Sequence, residues 1–87
     1  MKMKKDKHRV TVEIFGEVYN LKGDLEPEKV KKLADFLDQR MRRIAQANSR
    51  LSAGKIAVLA ALNIADEYLR LEADYRQMLD MLKDDHS

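Results

Sequence analysis

The chain is short, highly charged and free of cysteine. It has 87 residues, with 17 Lys or Arg against 15 Asp or Glu, so the net charge is only +2. A single small domain is expected at this length, and such a domain buries only a modest share of its surface. No apolar run approaches the roughly 20 residues that a membrane helix needs. We therefore expect a cytoplasmic protein that is not inserted in a membrane.

The N-terminal third predicts a basic tail followed by a β-hairpin. Residues 1–8 are polar and charged, which favours a flexible tail. Residues 9–22 alternate apolar and polar side chains at the period of a β-strand. Gly16 and Glu17 fit the centre of a two-residue turn, because glycine accepts a positive φ angle. This turn predicts the pairs Phe15 with Val18, Ile14 with Tyr19, and Val12 with Leu21.

Two helices follow the hairpin. Pro27 suits the first position of a helix, and an apolar residue recurs every three or four positions until the pattern fades near Asn48. Ser52 can cap a second helix from Ala53 to about Asp84, since no proline interrupts that stretch. The fold class predicted is α+β: a β-hairpin, a short helix and a long C-terminal helix that forms an oligomeric coiled coil or bundle.

The long helix carries more apolar surface than this chain can cover. The first helix measures about 31 Å and, folded back, would reach only the region near Tyr75. Apolar residues nevertheless continue to Leu82 with the heptad spacing of a coiled coil. We predict a homodimer that pairs again into a tetramer. The candidate oligomerisation residues are Ile64, Tyr68, Leu71, Tyr75, Met78, Leu79 and Leu82.

Three segments follow from these patterns. Residues 1–8 are the flexible basic tail, and residues 9–66 form a head that includes the start of the long helix. Residues 67–87 form the C-terminal coiled-coil segment.

No motif for catalysis or for a cofactor stands out. His8 and His86 lie in opposite terminal regions, so they do not have the spacing of a metal-binding pair. The three glycines form no phosphate-binding loop. We expect no catalytic residue, no metal and no cofactor.

A basic cluster is predicted where the two helices meet. Three arginines lie near the end of the first helix, and two more cations lie across the turn. One interpretation is a solvated surface at a helix end, where cations are favoured. The other is a docking surface for an acidic partner, to which electrostatic attraction would steer association. The candidate residues are Arg40, Arg42, Arg43, Arg50 and Lys55.

Several segments together resemble the ZapA family of bacterial cell-division proteins. These are Val-Glu-Ile-Phe-Gly from Val12 to Gly16 and Leu-Asp-Gln-Arg-Met from Leu37 to Met41. The most specific is Lys-Ile-Ala-Val-Leu-Ala-Ala-Leu-Asn-Ile-Ala-Asp-Glu-Tyr at residues 55–68. The resemblance covers residues 9–85, and the short coiled coil is similar to the ZapA proteins of Gram-positive bacteria.

The resemblance implies a cytoplasmic protein at the midcell division site that binds FtsZ, the tubulin-like GTPase. It implies cross-linking of FtsZ protofilaments and assembly as dimers that join into an antiparallel homotetramer. Charged residues of the head are the family's FtsZ contacts, and Arg40 stands in the matching part of the first helix. Glu17 stands where some members carry a basic residue.

Two alternatives remain open from the residues alone. A β-ribbon followed by two helices is also the order of some dimeric DNA-binding modules. The hairpin's outer face is mixed in charge, however, and a long coiled coil exceeds what such modules need. The second alternative is a coiled-coil adaptor for another acidic partner.

Overall fold

The computed structural model of the chain describes residues 7–84 and has the predicted α+β architecture. Strand β1 spans His8–Ile14 and strand β2 spans Glu17–Gly23; helix α1 spans Pro27–Ala47 and helix α2 spans Ala53–Asp84. Residues 1–6 of the predicted tail and residues 85–87 of the predicted coiled coil lie outside the described residues. Both helices have the bounds that the sequence predicts.

The turn of the hairpin differs from the prediction. The strands pair Ile14 with Glu17 and Val12 with Tyr19, so the central residues of the turn are Phe15 and Gly16. The predicted centre at Gly16 and Glu17 was wrong by one position, and the strand register by two residues. Because side chains alternate with a period of two, a two-residue shift keeps every side chain on its predicted face.

Phe15 is held in a conformation that bulky residues rarely adopt. Its φ is 52° and that of Gly16 is 82°, as a two-residue turn of type I′ requires. The Phe15 backbone N–H donates a 2.6 Å hydrogen bond to Oδ1 of Asp38 on α1. The Phe15 ring packs against the cluster formed by Met41, Ile56 and Ala60. These tertiary contacts offset the strain of a positive φ at a bulky residue. Local sequence preferences alone would place another residue at this position.

Gly16 offers a direct test of this turn. We expect Gly16→Ala to lower the free energy of unfolding by about 1–2 kcal/mol, because a Cβ atom disfavours the left-handed conformation. Gly23→Ala is the matched control, since Gly23 has no positive φ and open space surrounds the added Cβ. Urea unfolding at one fixed protein concentration measures both. Equal effects of the two substitutions would contradict the type I′ assignment.

The core consists of two small apolar clusters on either side of α1. One joins Val10 and Val12 of β1 to Ala34 of α1. The other joins Met41 of α1 to Ile56 and Ala60 of α2. Helix α1 is therefore the central element of the head, contacting the hairpin along one side and α2 near its own C-terminal end.

Local signals account for the ends of the helices. Pro27 occupies the first turn of α1, where its missing N–H leaves no hydrogen bond unmade. At the start of α2, the Ser52 hydroxyl accepts a 3.3 Å hydrogen bond from the Lys55 backbone N–H, which confirms the predicted cap. Asn48 ends α1 by donating its backbone N–H to the Ala45 carbonyl and its side-chain amide to the Ile44 carbonyl.

The two helices diverge, so the chain is flat and extended. Its radius of gyration is 18.0 Å, against about 12 Å for a compact domain of this length. Its extents are 54 × 46 × 15 Å. Helix α1 covers less of α2 than the sequence predicts: Tyr68 and Leu71 are already 61% and 69% exposed. Neither helix within residues 7–84 has both the length and the apolarity that crossing a membrane demands.

Candidate functional site

The C-terminal half of α2 presents an uncovered apolar seam. Of the seven candidate oligomerisation residues, only Ile64 is partly buried. The other six are exposed on the lone chain: Tyr68, Leu71, Tyr75, Met78, Leu79 and Leu82. Burying one such side chain is worth roughly 1.5–3 kcal/mol. The seam is thus a large source of binding energy that the chain does not use by itself.

A second uncovered surface is a groove in the head, between β2 and α1. Two cavities of about 400 and 460 Å³ lie along it and share Ile14, Leu21 and Leu37. The apolar side chains of β2 form one wall, because α1 packs beneath β1 only; Tyr19 and Leu21 remain 44% and 41% exposed. This head groove is lined mainly by apolar side chains.

Arg40 lies between the two helices. Its Nη1 donates to Asn63 Oδ1 at 2.6 Å and to Glu67 Oε2 at 2.8 Å, both on α2. Its guanidinium carbon lies 4.9 Å from the centre of the Phe36 ring. The Arg40 side chain is only 12% exposed. We call these four residues, Phe36, Arg40, Asn63 and Glu67, the polar clamp.

Arg42 faces the hairpin instead. Its Nε donates to Asp38 Oδ2 at 2.9 Å, while Oδ1 of the same carboxylate accepts the Phe15 N–H. Asp38 and Arg42 thus form an ion pair between neighbouring turns of α1. Hydrogen bonds from Arg42 and from the Phe15 backbone lower the pKa of Asp38. The hydrogen bond to the Asp38 carboxylate in turn raises the pKa of Arg42.

The Asp38 pair predicts a pH-dependent contribution to stability. A carboxyl group whose pKa is lowered by folding stabilises the fold above its unfolded-state pKa, and the contribution is lost as pH falls through the folded-state pKa. We expect Asp38→Asn to destabilise the protein at neutral pH and the difference from the parent to vanish in acid. Urea midpoints across pH measure it, with Asp35→Asn on the same helix as control. A difference that stays constant down to acid pH would contradict this role.

The remaining three cations form an exposed group at the end of the head where the helices are joined. Arg43 lies one turn before the end of α1, Arg50 in the connecting loop, and Lys55 in the first turn of α2. None forms an ion pair among residues 7–84. The first turn of α2 holds no acidic residue, so nothing there offsets the positive end of the helix. We call Arg43, Arg50 and Lys55 the loop-end cations.

The structure thus divides the five predicted basic residues into three environments. Successive residues are about 100° apart around a helix, which places Arg40 and Arg42 on nearly opposite flanks of α1. Arg40 contacts α2, Arg42 contacts the hairpin turn, and the loop-end cations point to solvent. Within the described residues, no three His, Cys, Asp or Glu side chains are grouped as a metal site would require.

Comparison with known proteins decides the family. The model of the family "Cell division protein ZapA" matches residues 10–85. The chain belongs to the ZapA cell-division family. It is 41% identical to the ZapA of Shouchella clausii over 75 residues, which cover 86% of this chain and 96% of that protein. It is 37% identical to the ZapA of Oceanobacillus iheyensis over 78 residues, covering 90% and 91% of the two chains.

The solved structures support the same assignment. A mutant ZapA dimer from Geobacillus stearothermophilus matches with a TM-score of 0.71 and 34% identity, covering 95% of this chain and 96% of that one. The ZapA relatives therefore share the hairpin and the two helices as well as the sequence. The similarity to short ZapA proteins of Gram-positive bacteria is confirmed.

Two side-chain contacts of this structure were not predicted from the sequence. The bond from the Phe15 N–H to Asp38 was not predicted, because the turn was placed one residue too far along the chain. Asn63 and Glu67 were not expected to bind Arg40. A signal for that contact existed: Asn63 is the one polar residue in the apolar run at residues 56–65, and a polar group at such a position needs a partner.

Proposed function

We propose that this chain is a non-enzymatic cell-division scaffold that binds and cross-links FtsZ protofilaments, promoting assembly and stability of the Z-ring at midcell. The observation that carries the proposal is the separation of two exposed surfaces on one ZapA-family chain. The loop-end cations lie at one end of α2, and the apolar seam runs toward the other. One surface suits docking and the other suits self-association.

Self-association begins with the heads. Within residues 7–84, no helix of the same chain fills the head groove. Helix α2 also carries a second exposed apolar row, on a side that is distinct from both the seam and the side in contact with α1: Val58, Leu62 and Leu69. Inserting this row into the groove of a second copy would cover both surfaces at once. The same exchange in the reverse direction gives a closed homodimer with twofold symmetry.

The seam then joins dimers. Glu67 and Glu72 flank the seam and would face each other across a parallel pair, which gives no attraction. An antiparallel overlap centred nearer the C-terminus, where Leu79 and Met81 widen the apolar surface, keeps these carboxylates apart. A wider apolar stripe favours a bundle of three or four helices. We therefore propose an antiparallel homotetramer with heads at both ends.

Docking onto FtsZ requires no catalytic step and depends on many weak contacts that act together. Each head presents its loop-end cations to an acidic surface of FtsZ, a contact that is weak singly. A particle with heads at both ends can hold two filaments. Repeated binding along both filaments raises the overall strength far above that of one contact. We place this activity in the cytoplasm, at the division site.

Pelleting of FtsZ polymers tests the proposal. Addition of this protein to FtsZ and GTP should raise the fraction of FtsZ that sediments at low speed and increase light scattering. Electron micrographs should show filaments bundled side by side. No increase in sedimented bundles would contradict the function.

The DNA-binding alternative has a separate test. On the outer face of the hairpin, Thr11 and Asn20 are joined by a 2.7 Å hydrogen bond, and Glu13 pairs with Val18. Such a mixed face gives little attraction to phosphates. Strongly salt-dependent binding to duplex DNA would favour the alternative instead.

A further inference from the structure

The polar clamp lies outside the apolar contact between the two helices. That contact consists of Met41 on α1 against Ile56 and Ala60 on α2, and partly buried residues of both helices pack around it: Leu37, Ile44, Ala45 and Ala57. The clamp residues Asn63 and Glu67 are one and two turns further along α2. No hydrogen bond or ion pair of the described residues joins the helices beyond Glu67.

The two kinds of contact constrain the helices differently. Apolar attraction is non-directional, so an apolar contact near the start of α2 leaves a tilt of one helix on the other unrestrained by any directional bond. Hydrogen bonds from a guanidinium are directional, and the Arg40 guanidinium also lies over the Phe36 ring, 4.9 Å from its centre. The clamp therefore restricts a tilt that the apolar contact leaves free.

We propose that Arg40 is a positioning residue that fixes the angle between the head and α2, acting through Asn63 and Glu67. A side chain that is 12% exposed and already bonded twice has little left to offer a docked partner. Its role is to hold α1 and the hairpin at a defined angle to α2. The inference concerns the free protein, so it holds or fails independently of FtsZ binding.

The length of α2 makes this angle consequential. From Ala60 to Asp84 the helix rises about 36 Å, so a tilt of about 10° at the head moves the far end by about 6 Å. In an assembly joined through the seam, the same tilt would reorient each head relative to the next.

The absence of cysteine permits a direct measurement of the angle. Nitroxide labels at Asp35→Cys on α1 and Asp80→Cys on α2, both exposed sites, report the distance between the helices. Labelled chains are diluted with excess unlabelled protein, so that only distances within one chain contribute. Pulsed electron paramagnetic resonance on the 87-residue chain should give one narrow distribution of the distance between the two nitroxides.

Arg40→Met keeps a long side chain and removes the directional bonds. We expect its distance distribution to broaden or shift by several Å, while circular dichroism shows the helices intact. Reversing the pair with Arg40→Glu and Glu67→Arg should restore a narrow distribution, because the Asn63 amide can donate to the new carboxylate. Arg43→Met is the control: it removes the same charge from α1 without touching α2, and it should leave the distribution unchanged.

The proposal is overturned if Arg40→Met retains the parental distribution, or if Arg43→Met alters it equally. Should Arg40→Met fail to fold, Asn63→Ala combined with Glu67→Ala removes both acceptors on α2 and leaves Arg40 in place. A broadened distribution in that variant supports the clamp, and an unchanged one refutes it.

Discussion

Replacing Leu71 and Met78 with glutamate is expected to reduce the assembly to dimers or smaller species and to abolish FtsZ bundling. Both side chains lie on the seam and are 69% and 63% exposed on the lone chain. Each replacement removes the burial energy of a large apolar side chain and forces a charge into the interface. The association should weaken by at least about tenfold per lost side chain. Sedimentation equilibrium measures the mass, and FtsZ pelleting measures the bundling.

Ala73→Glu combined with Gln77→Glu is the matched control. It adds the same two negative charges to the same part of α2, but on the side opposite the seam. We expect this control to retain the parental mass and bundling. A tetramer that survives the Leu71 and Met78 substitutions would show that the seam does not join the particles.

Charge reversal of the loop-end cations should also abolish bundling, but it should leave the mass of the particle unchanged. With Arg43, Arg50 and Lys55 replaced by glutamate, attraction between each head and an acidic surface of FtsZ becomes repulsion. The affinity per head should fall by about tenfold or more, and repetition along the filament amplifies the loss. Higher salt should weaken bundling by the parent protein for the same reason. Low-speed pelleting over a salt series measures both effects.

The control reverses three exposed lysines at the other end of α1: Lys29, Lys31 and Lys32. Because the total charge changes equally, this control separates local docking from net charge. Bundling that survives reversal of the loop-end cations would remove them as the docking surface. Arg42 is left intact in this design, since its reversal would also repel Asp38 and disturb the hairpin turn.

The elements of the fold were predictable because their signals are local. Pro27 marks the start of α1 because the first turn of a helix needs no N–H from it, and Ser52 marks the start of α2 through a hydrogen bond to a residue three positions on. The alternation in the hairpin likewise assigned each side chain to its correct face. The turn was not predictable by the same means, because the contacts that hold Phe15 at a positive φ are distant in sequence: its N–H bonds to Asp38, 23 residues away, and its ring packs on the Met41 cluster.

The candidate surfaces were predictable only in part. The heptad pattern located the seam, and the structure leaves it exposed from Tyr68 onward. Proximity in sequence grouped the five basic residues, whereas helix geometry directs Arg40 and Arg42 to different neighbours. Only a structure could reveal this, since the partner of Arg40 depends on where α1 crosses α2.

Because α2 is unbroken, any change in its length also rotates the seam about the helix axis. The helix runs from Ala53 to Asp84 without a break, so the residues that contact α1 and the residues of the seam lie on one continuous rod. An insertion of seven residues would lengthen the rod by about 10 Å and rotate the seam by only about 20°. An insertion of one or two residues would turn the seam away from its partner. In the proposed assembly, the length of α2 therefore sets the spacing between bundled filaments, and that spacing can change only by insertions that return the seam to its face, such as seven or eleven residues.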